Sequence, residues 1–256
     1  ILFNDPDAFL SAIKRHEHEL AAVIMEPVMY NSGCILPDKQ LVQLIREETK
    51  KRGIVLIFDE VLSGFRMCIG GGQEYLGVTP DLTTLAKALG GSGLPIAALT
   101  GKQEVMRYLT PEGPVVMSGT YTGHLLEVMG AIEALKIMEQ KDFYTHINTL
   151  AEHLYTNLNQ LLEKHRIKAV VQGLGARFGM YFGMDSLPIY DYRKAVREYN
   201  YEEDAKFTRK AFEKGLYFHD FGNKKTPTHH GFTYAHTSED VDESLNRIDD
   251  LLKDFS

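Results

Sequence analysis

Two apolar runs separated by an amphipathic segment constrain this 256-residue chain more than any other feature. The runs are "LAAVIMEPV", residues 20–28, and "IVLIFDE", residues 54–60, with "PDKQLVQLIREETKKRG" between them. In the intervening segment Leu41, Leu44 and Ile45 fall on one helical face, basic residues fill the last turn, and Gly53 supplies a stop. The flanking runs do not alternate, so they read as strands buried on both faces, as parallel strands between helices are. Upstream, Ala8, Phe9, Ala12 and Ile13 recur at helical spacing. Downstream, "DLTTLAK" and "PIAALTG" read as further strands and "KQEVMRYL" as a helix, making residues 1 to about 115 an α/β unit.

From Gly123 the pattern changes. "GHLLEVMGAIEALKIMEQ" and "INTLAEHLYTNLNQLLEKH" are amphipathic helices, "KAVVQGLGARFGMYFGM" alternates strand residues with glycines, and "SEDVDESLNRIDDLLKDF" closes as a helix with Ser238 as its N-cap. The expected division is 1–122 for part of a large α/β domain with a mostly parallel sheet, and 123–256 for a linking helix and a smaller α+β domain.

Composition narrows the function. At 44% hydrophobic and 25% charged the chain has globular composition. A net charge of −7 without a basic run argues against nucleic-acid binding, which needs clustered cations on phosphates. No apolar run reaches the ~18 residues of a membrane span. Cys34 and Cys68 lack metal spacing and point to a reducing, cytoplasmic compartment.

Several motifs fail on inspection. "GLGARFG" is followed by strand-like residues, so it lacks the helix N-terminus that a dinucleotide loop needs. "LTGKQ" lacks the first glycine of a phosphate loop, and "GGSGLP" misses the nucleophile elbow by one residue. His16 and His18 read as a solvated patch. His229 and His230 fall on opposite strand faces, which argues against a metal shared with His236. No metal site is expected. Asp59 and Lys87 differ: each stands at the carboxyl end of a strand, where open α/β sheets place ligand crevices. Their structural alternative is a buried ion pair, a weak stabilising device.

Taken together, "AAVIMEPV", "LIFDEVLSGFR", "GGGQEYLGVTPDLTTLAKALGG", "GPVVMSGTYTGH" and "GFTYAHTSEDVDESL" resemble the class III aminotransferases, most closely their glutamate-1-semialdehyde aminomutase-like branch. The resemblance implies a fold-type-I, pyridoxal 5'-phosphate-dependent enzyme, of which 1–122 is the carboxyl-terminal part of the large cofactor-binding domain. It implies that Lys87 forms the Schiff base with the cofactor and serves as acid/base catalyst. Asp59 pairs with the pyridinium nitrogen, Val61 packs on a ring face, and Thr120 reaches the cofactor phosphate of a neighbouring subunit in a homodimer. Glu26 matches the acid of the EP motif.

The family's large domain begins well before the position of Ile1, so the chain is expected to be a carboxyl-terminal portion with weak cofactor binding by itself. Three departures from the family pattern stand out. His124 takes the place of an Asn-Pro, His229 that of a glutamate, and "ALGGSGLP" carries an extra small residue. They favour transfer between a small-molecule amino donor (an amino acid or amine) and a keto acid or aldehyde acceptor over intramolecular amino migration. The reading from another class is a non-catalytic binding or assembly domain that keeps the fold; retention of both Asp59 and Lys87 argues against it.

Overall fold

The computed structural model describes residues 1–91, 93–222 and 224–255. Ser92, the extra small residue of "ALGGSGLP", lies outside the described residues, as do Asn223 and Ser256. The chain forms two compact units. The first comprises Ile1–Pro27 and Pro37–Lys141, and the second Val28–Leu36 and Asp142–Ser256, rather than dividing at 122/123.

The first unit contains α1 (Pro6–His16), β1 (Ala22–Met25), α2 (Lys39–Arg52), β2 (Val55–Glu60), α3 (Gly71–Leu76), β3 (Leu82–Leu85), β4 (Ala98–Gly101), α4 (Gln103–Met106) and α5 (Leu125–Met138). The sheet order is β1-β2-β3-β4, with β1, β2 and β3 parallel and β4 antiparallel at the edge. The mostly parallel sheet read from the apolar runs is therefore present. Asp38 caps α2 by accepting from the Gln40 and Leu41 amides, and Gly53 ends it at φ 68°, a left-handed conformation that glycine adopts without strain. The apolar faces of α1 and α2 then close over one side of the sheet, where Phe9, Ile13, Leu41, Val42 and Ile45 pack with Leu56 and Phe58. Asp81 fastens the opposite end of the strands. It accepts from the Leu56 amide at 2.8 Å, Arg46 at 2.9 Å and Lys102 at 2.7 Å.

The second unit contains α6 (Phe143–Lys164), β5 (Ala169–Leu174), β6 (Arg177–Phe182), α7 (Tyr192–Glu198), α8 (Tyr201–Glu213), β7 (His229–Gly231) and α9 (Ser238–Lys253). Its sheet is antiparallel, in the order β5-β6-β7. The "GLGARFG" glycines belong to the β5–β6 hairpin, where Leu174 pairs with Arg177 and Gly175 turns the chain at φ 56°. One sheet face packs Val171, Phe178, Met180 and Phe182 against Leu150, Leu154, Leu158 and Leu162 of α6 and Leu245, Ile248 and Leu252 of α9. The cap of α9 is Thr237 and not Ser238. Thr237 and Asp240 bond reciprocally in a capping box, which Ser238, one residue further in, cannot form.

The other sheet face takes up Val28–Leu36. Tyr181 Oη accepts from the Cys34 amide at 2.8 Å and donates to the Ser32 carbonyl at 3.0 Å, and Gln172 donates to the Cys34 carbonyl at 2.6 Å. A Cβ at Gly179 would stand 2.6 Å from Gly33 Cα, so this approach requires glycine.

Asp204 of α8 is 3% exposed and accepts from Tyr199 Oη at 2.5 Å. Burial pushes its carboxyl up from 3.8 to about 6; the Tyr199 bond opposes this and the Asp220 charge adds to it. The folded chain thus keeps this proton to higher pH than the unfolded chain does. Its contribution is complete below the unfolded value and is lost as pH rises through about 6. A two-unit shift corresponds to a loss on the order of 3 kcal/mol. Asp204→Asn is expected to flatten the stability profile between about pH 4 and pH 7, read from urea midpoints. Identical profiles for wild type and variant would rule the assignment out.

Candidate active site

Strand alternation sends the two acids that end β2 to opposite sides. Glu60 is 1% exposed, and its Oε2 accepts from the Gly72 amide at 2.6 Å and Ser63 Oγ at 3.4 Å. Burial raises its carboxyl above the usual range, and the backbone bond from Gly72 opposes the rise. The glycines of "GGGQEYL" make room for this acid and for Pro27. A Cβ at Gly71, which has φ 60°, would lie 2.3 Å from Glu60 Oε2, and one at Gly72 would lie 2.4 Å from Pro27 Cγ. Glu60 therefore secures the turn beneath the strand end.

Asp59 faces the other way. Its Oδ1 accepts from the Val61 amide at 3.1 Å and from Thr84 Oγ1 at 3.2 Å, Thr84 being its register partner on β3. The second oxygen makes no hydrogen bond among the described residues. The carboxylate is thus oriented by one oxygen while the other stays available, and Thr84, which the sequence reading did not single out, does part of the orienting.

Lys87 opens a short 3₁₀ turn, Lys87–Gly90, two residues after β3. It adopts φ 48°, a left-handed conformation that costs a non-glycine residue on the order of 1 kcal/mol or more. The turn rests on buried Leu89, and Gly91 sits so close to α5 that a Cβ there would meet Ala134 Cβ at 2.8 Å. The lysine itself is exposed and makes no hydrogen bond or ion pair among the described residues. Asp59 and Lys87 do not form the buried pair that was their structural alternative.

Glu26 follows β1 directly and is half-buried. Since β1, β2 and β3 are parallel neighbours, Glu26, Asp59 and Lys87 gather at one edge of the sheet, the carboxyl edge. An open cleft of about 800 Å³ in the same unit is lined by Val61, Thr84, Ala98, Thr120 and His124, among others. Its lining includes the expected ring-packing and phosphate residues and the Asp59 partner Thr84, but not Asp59, Lys87 or Glu26 themselves. His124, just before α5, is bonded to Glu127. His229 lies on β7, half-buried, while His230 is 4% exposed, as alternation requires.

The family model for class-III aminotransferases matches residues 6–252. The chain belongs to this family. As a class III aminotransferase it is 38% identical over 254 residues to glutamate-1-semialdehyde 2,1-aminomutase of Persephonella marina, covering 98% of this chain and 57% of the relative. It is 36% identical over 253 residues to the aminomutase of Methanocaldococcus jannaschii, again over 57% of that protein. The chain thus spans little more than half the length of these curated relatives. An omega-transaminase from Sphaerobacter thermophilus superposes with a TM-score of 0.88 at 28% identity, over 99% of this chain and 56% of that one. A glutamate-1-semialdehyde aminomutase from Pseudomonas aeruginosa gives 0.84 at 25%, over 100% and 56%. The α/β architecture is that of the fold-type-I transferases, covered in part.

Proposed function

We propose that this chain carries the lysine and carboxylate side of a pyridoxal 5'-phosphate site and serves amino transfer between an amino acid or amine and a keto acid or aldehyde. The observation that carries the reading is the state of Asp59 and Lys87. Each stands at the carboxyl edge of the same parallel sheet, one with a carboxylate oxygen uncommitted and the other with an unengaged amine among the described residues. A structural ion pair would have consumed both. The residues therefore fit the cofactor, and a Pseudomonas aeruginosa aminomutase variant at 25% identity was solved in complex with PMP.

When bound, pyridoxal phosphate supplies an electron sink for the pair released as the substrate Cα–H bond breaks. Asp59, held by Val61 and Thr84, would use its second oxygen to keep the pyridinium nitrogen protonated. Val61 would pack on a ring face, and Glu26 shares their edge of the sheet. Lys87 would hold the cofactor covalently and, once displaced by substrate, carry the proton from Cα to C4'. Thr120 would reach the phosphate of a neighbouring subunit. A homodimer is supported by the exposed apolar side chains of Val116, Tyr121, Leu125 and Leu126, which are 65–75% accessible. The free thiols of Cys34 and Cys68 agree with a reducing cytoplasm, and no helix among the described residues is long and apolar enough to cross a membrane.

The aminomutase relatives keep intramolecular migration as the second reading. Supplying the chain with pyridoxal phosphate, an amino donor and a keto acid separates the two. Transfer is expected to release one carbonyl compound from the donor for each keto acid converted to its amine. Isomerisation of an added amino-aldehyde, with its amine count unchanged and no carbonyl co-product, would establish migration instead, and no cofactor-dependent reaction would leave the non-catalytic reading.

A further inference from the structure

The segment between β2 and α3, residues 61–70, is fastened at both ends to one residue, Glu60. At its start the Glu60 carbonyl accepts from the Gly64 amide at 3.0 Å, and Glu60 Oε2 accepts from Ser63 Oγ at 3.4 Å. Just past its far end the same Oε2 accepts from the Gly72 amide at 2.6 Å. The near approach needs glycine, since a Cβ at Gly64 would stand 2.7 Å from the Glu60 carbonyl and 3.0 Å from Cδ2 of Leu85, the register partner of Glu60 on β3. Within the segment Phe65 is held at φ 61°, a left-handed conformation that a bulky residue keeps only where its surroundings fix it.

What the segment carries belongs to the other face of the sheet. Its first amide, that of Val61, donates to Asp59 Oδ1 at 3.1 Å, and Val61 lines the open cleft. The second Asp59 partner is tied to the same clasp. Gln73, next to Gly72, donates from its side-chain amide to Thr83 Oγ1 at 3.1 Å, and the following residue, Thr84, donates to Asp59 Oδ1. Glu60 itself is not among the cleft residues, and strand alternation turns it away from Asp59. Any influence it has on the carboxylate must therefore pass through the segment that it closes.

We propose that Glu60 is a positioning residue of the cofactor site: by clasping both ends of residues 61–70 it fixes the Val61 amide, and through that amide the Asp59 carboxylate. The assignment rests on the cofactor reading of Asp59 and Lys87 and goes beyond it, giving the buried acid of the pair a share in cofactor affinity as well as in stability. Reach matters here more than charge, because the bond to Gly72 needs an acceptor oxygen at the full length of the glutamate side chain.

The test compares Glu60→Asp, which keeps the charge and shortens the reach, with Glu60→Gln, which keeps the reach and one acceptor oxygen. In native-state hydrogen exchange of the cofactor-free chain, the Val61 amide is expected to exchange about tenfold faster in Glu60→Asp and within about threefold of wild type in Glu60→Gln. The Leu56 amide, bonded to Asp81 at the other end of β2, should be unchanged in both. With pyridoxal phosphate below saturation and borohydride, label on Lys87 is expected to follow the same order, falling to about a tenth in Glu60→Asp. In an Asp59→Ala background Glu60→Asp should lower the label at most about twofold further, since the two changes act on one contact. Unchanged Val61 exchange in Glu60→Asp overturns the proposal, as does the reverse order of the two variants. Equal acceleration at Leu56 and Val61, or a loss of label that is the same with and without Asp59, would reduce Glu60 to a support of the fold. Absence of label from Lys87 in wild type would refute the cofactor reading itself and leave the exchange result to decide whether Glu60 holds the Asp59 partner in place.

Discussion

In Lys87→Ala, cofactor-dependent amino transfer is expected to fall at least roughly 10²–10⁴-fold, the contribution of a positioned proton-transfer group alone. Loss of the covalent anchor adds to that. The exposure of Lys87 and the absence of any bond from its amine among the described residues mean that little packing is lost with it. The thermal midpoint of the variant should therefore stay close to that of wild type while turnover collapses. Parallel loss of stability and turnover would instead assign Lys87 a structural role.

Phe207→Ala should have the largest effect on stability. Phe207 is fully buried in the second unit, with ring centroids 5.5 Å from Phe182, 5.2 Å from Phe218 and 6.2 Å from Phe255. These rings come from four separate segments of chain, so the cavity left by truncation cannot close without moving several of them. The expected loss is about 3–5 kcal/mol, measured by urea unfolding of the second unit's transition. A loss under about 1 kcal/mol would mean that the aromatic cluster repacks freely.

The first unit was the more legible in sequence because its signals are local. Apolar runs long enough for buried strands, basic last turns and the stop at Gly53 each act over a few residues, and together they determine the parallel sheet and the strand ends that carry Asp59 and Lys87. The contacts that escaped the sequence are long-range. Val28–Leu36 looks like a link between strand and helix, yet Gly33 and Cys34 meet Gly179 and Tyr181 almost 150 residues later. Thr84 became visible as the Asp59 partner only through the β2–β3 register. Glu60 adjoins Asp59 in sequence and differs wholly in environment, which strand alternation explains but cannot foretell without knowing which face is covered. The helices α7 and α8 went unread because their apolar residues are few and their polar faces long.

Lys87 can be tested against every other amine of the chain at once. In excess pyridoxal phosphate, borohydride reduction fixes the cofactor wherever a lysine holds it, and mass mapping of the peptides then locates it even when binding is weak. Label concentrated on Lys87, and reduced there when Asp59 is replaced by alanine, is the expected result. Label spread evenly over exposed lysines such as Lys136 and Lys141, or missing from Lys87, would contradict the cofactor role proposed for this strand end.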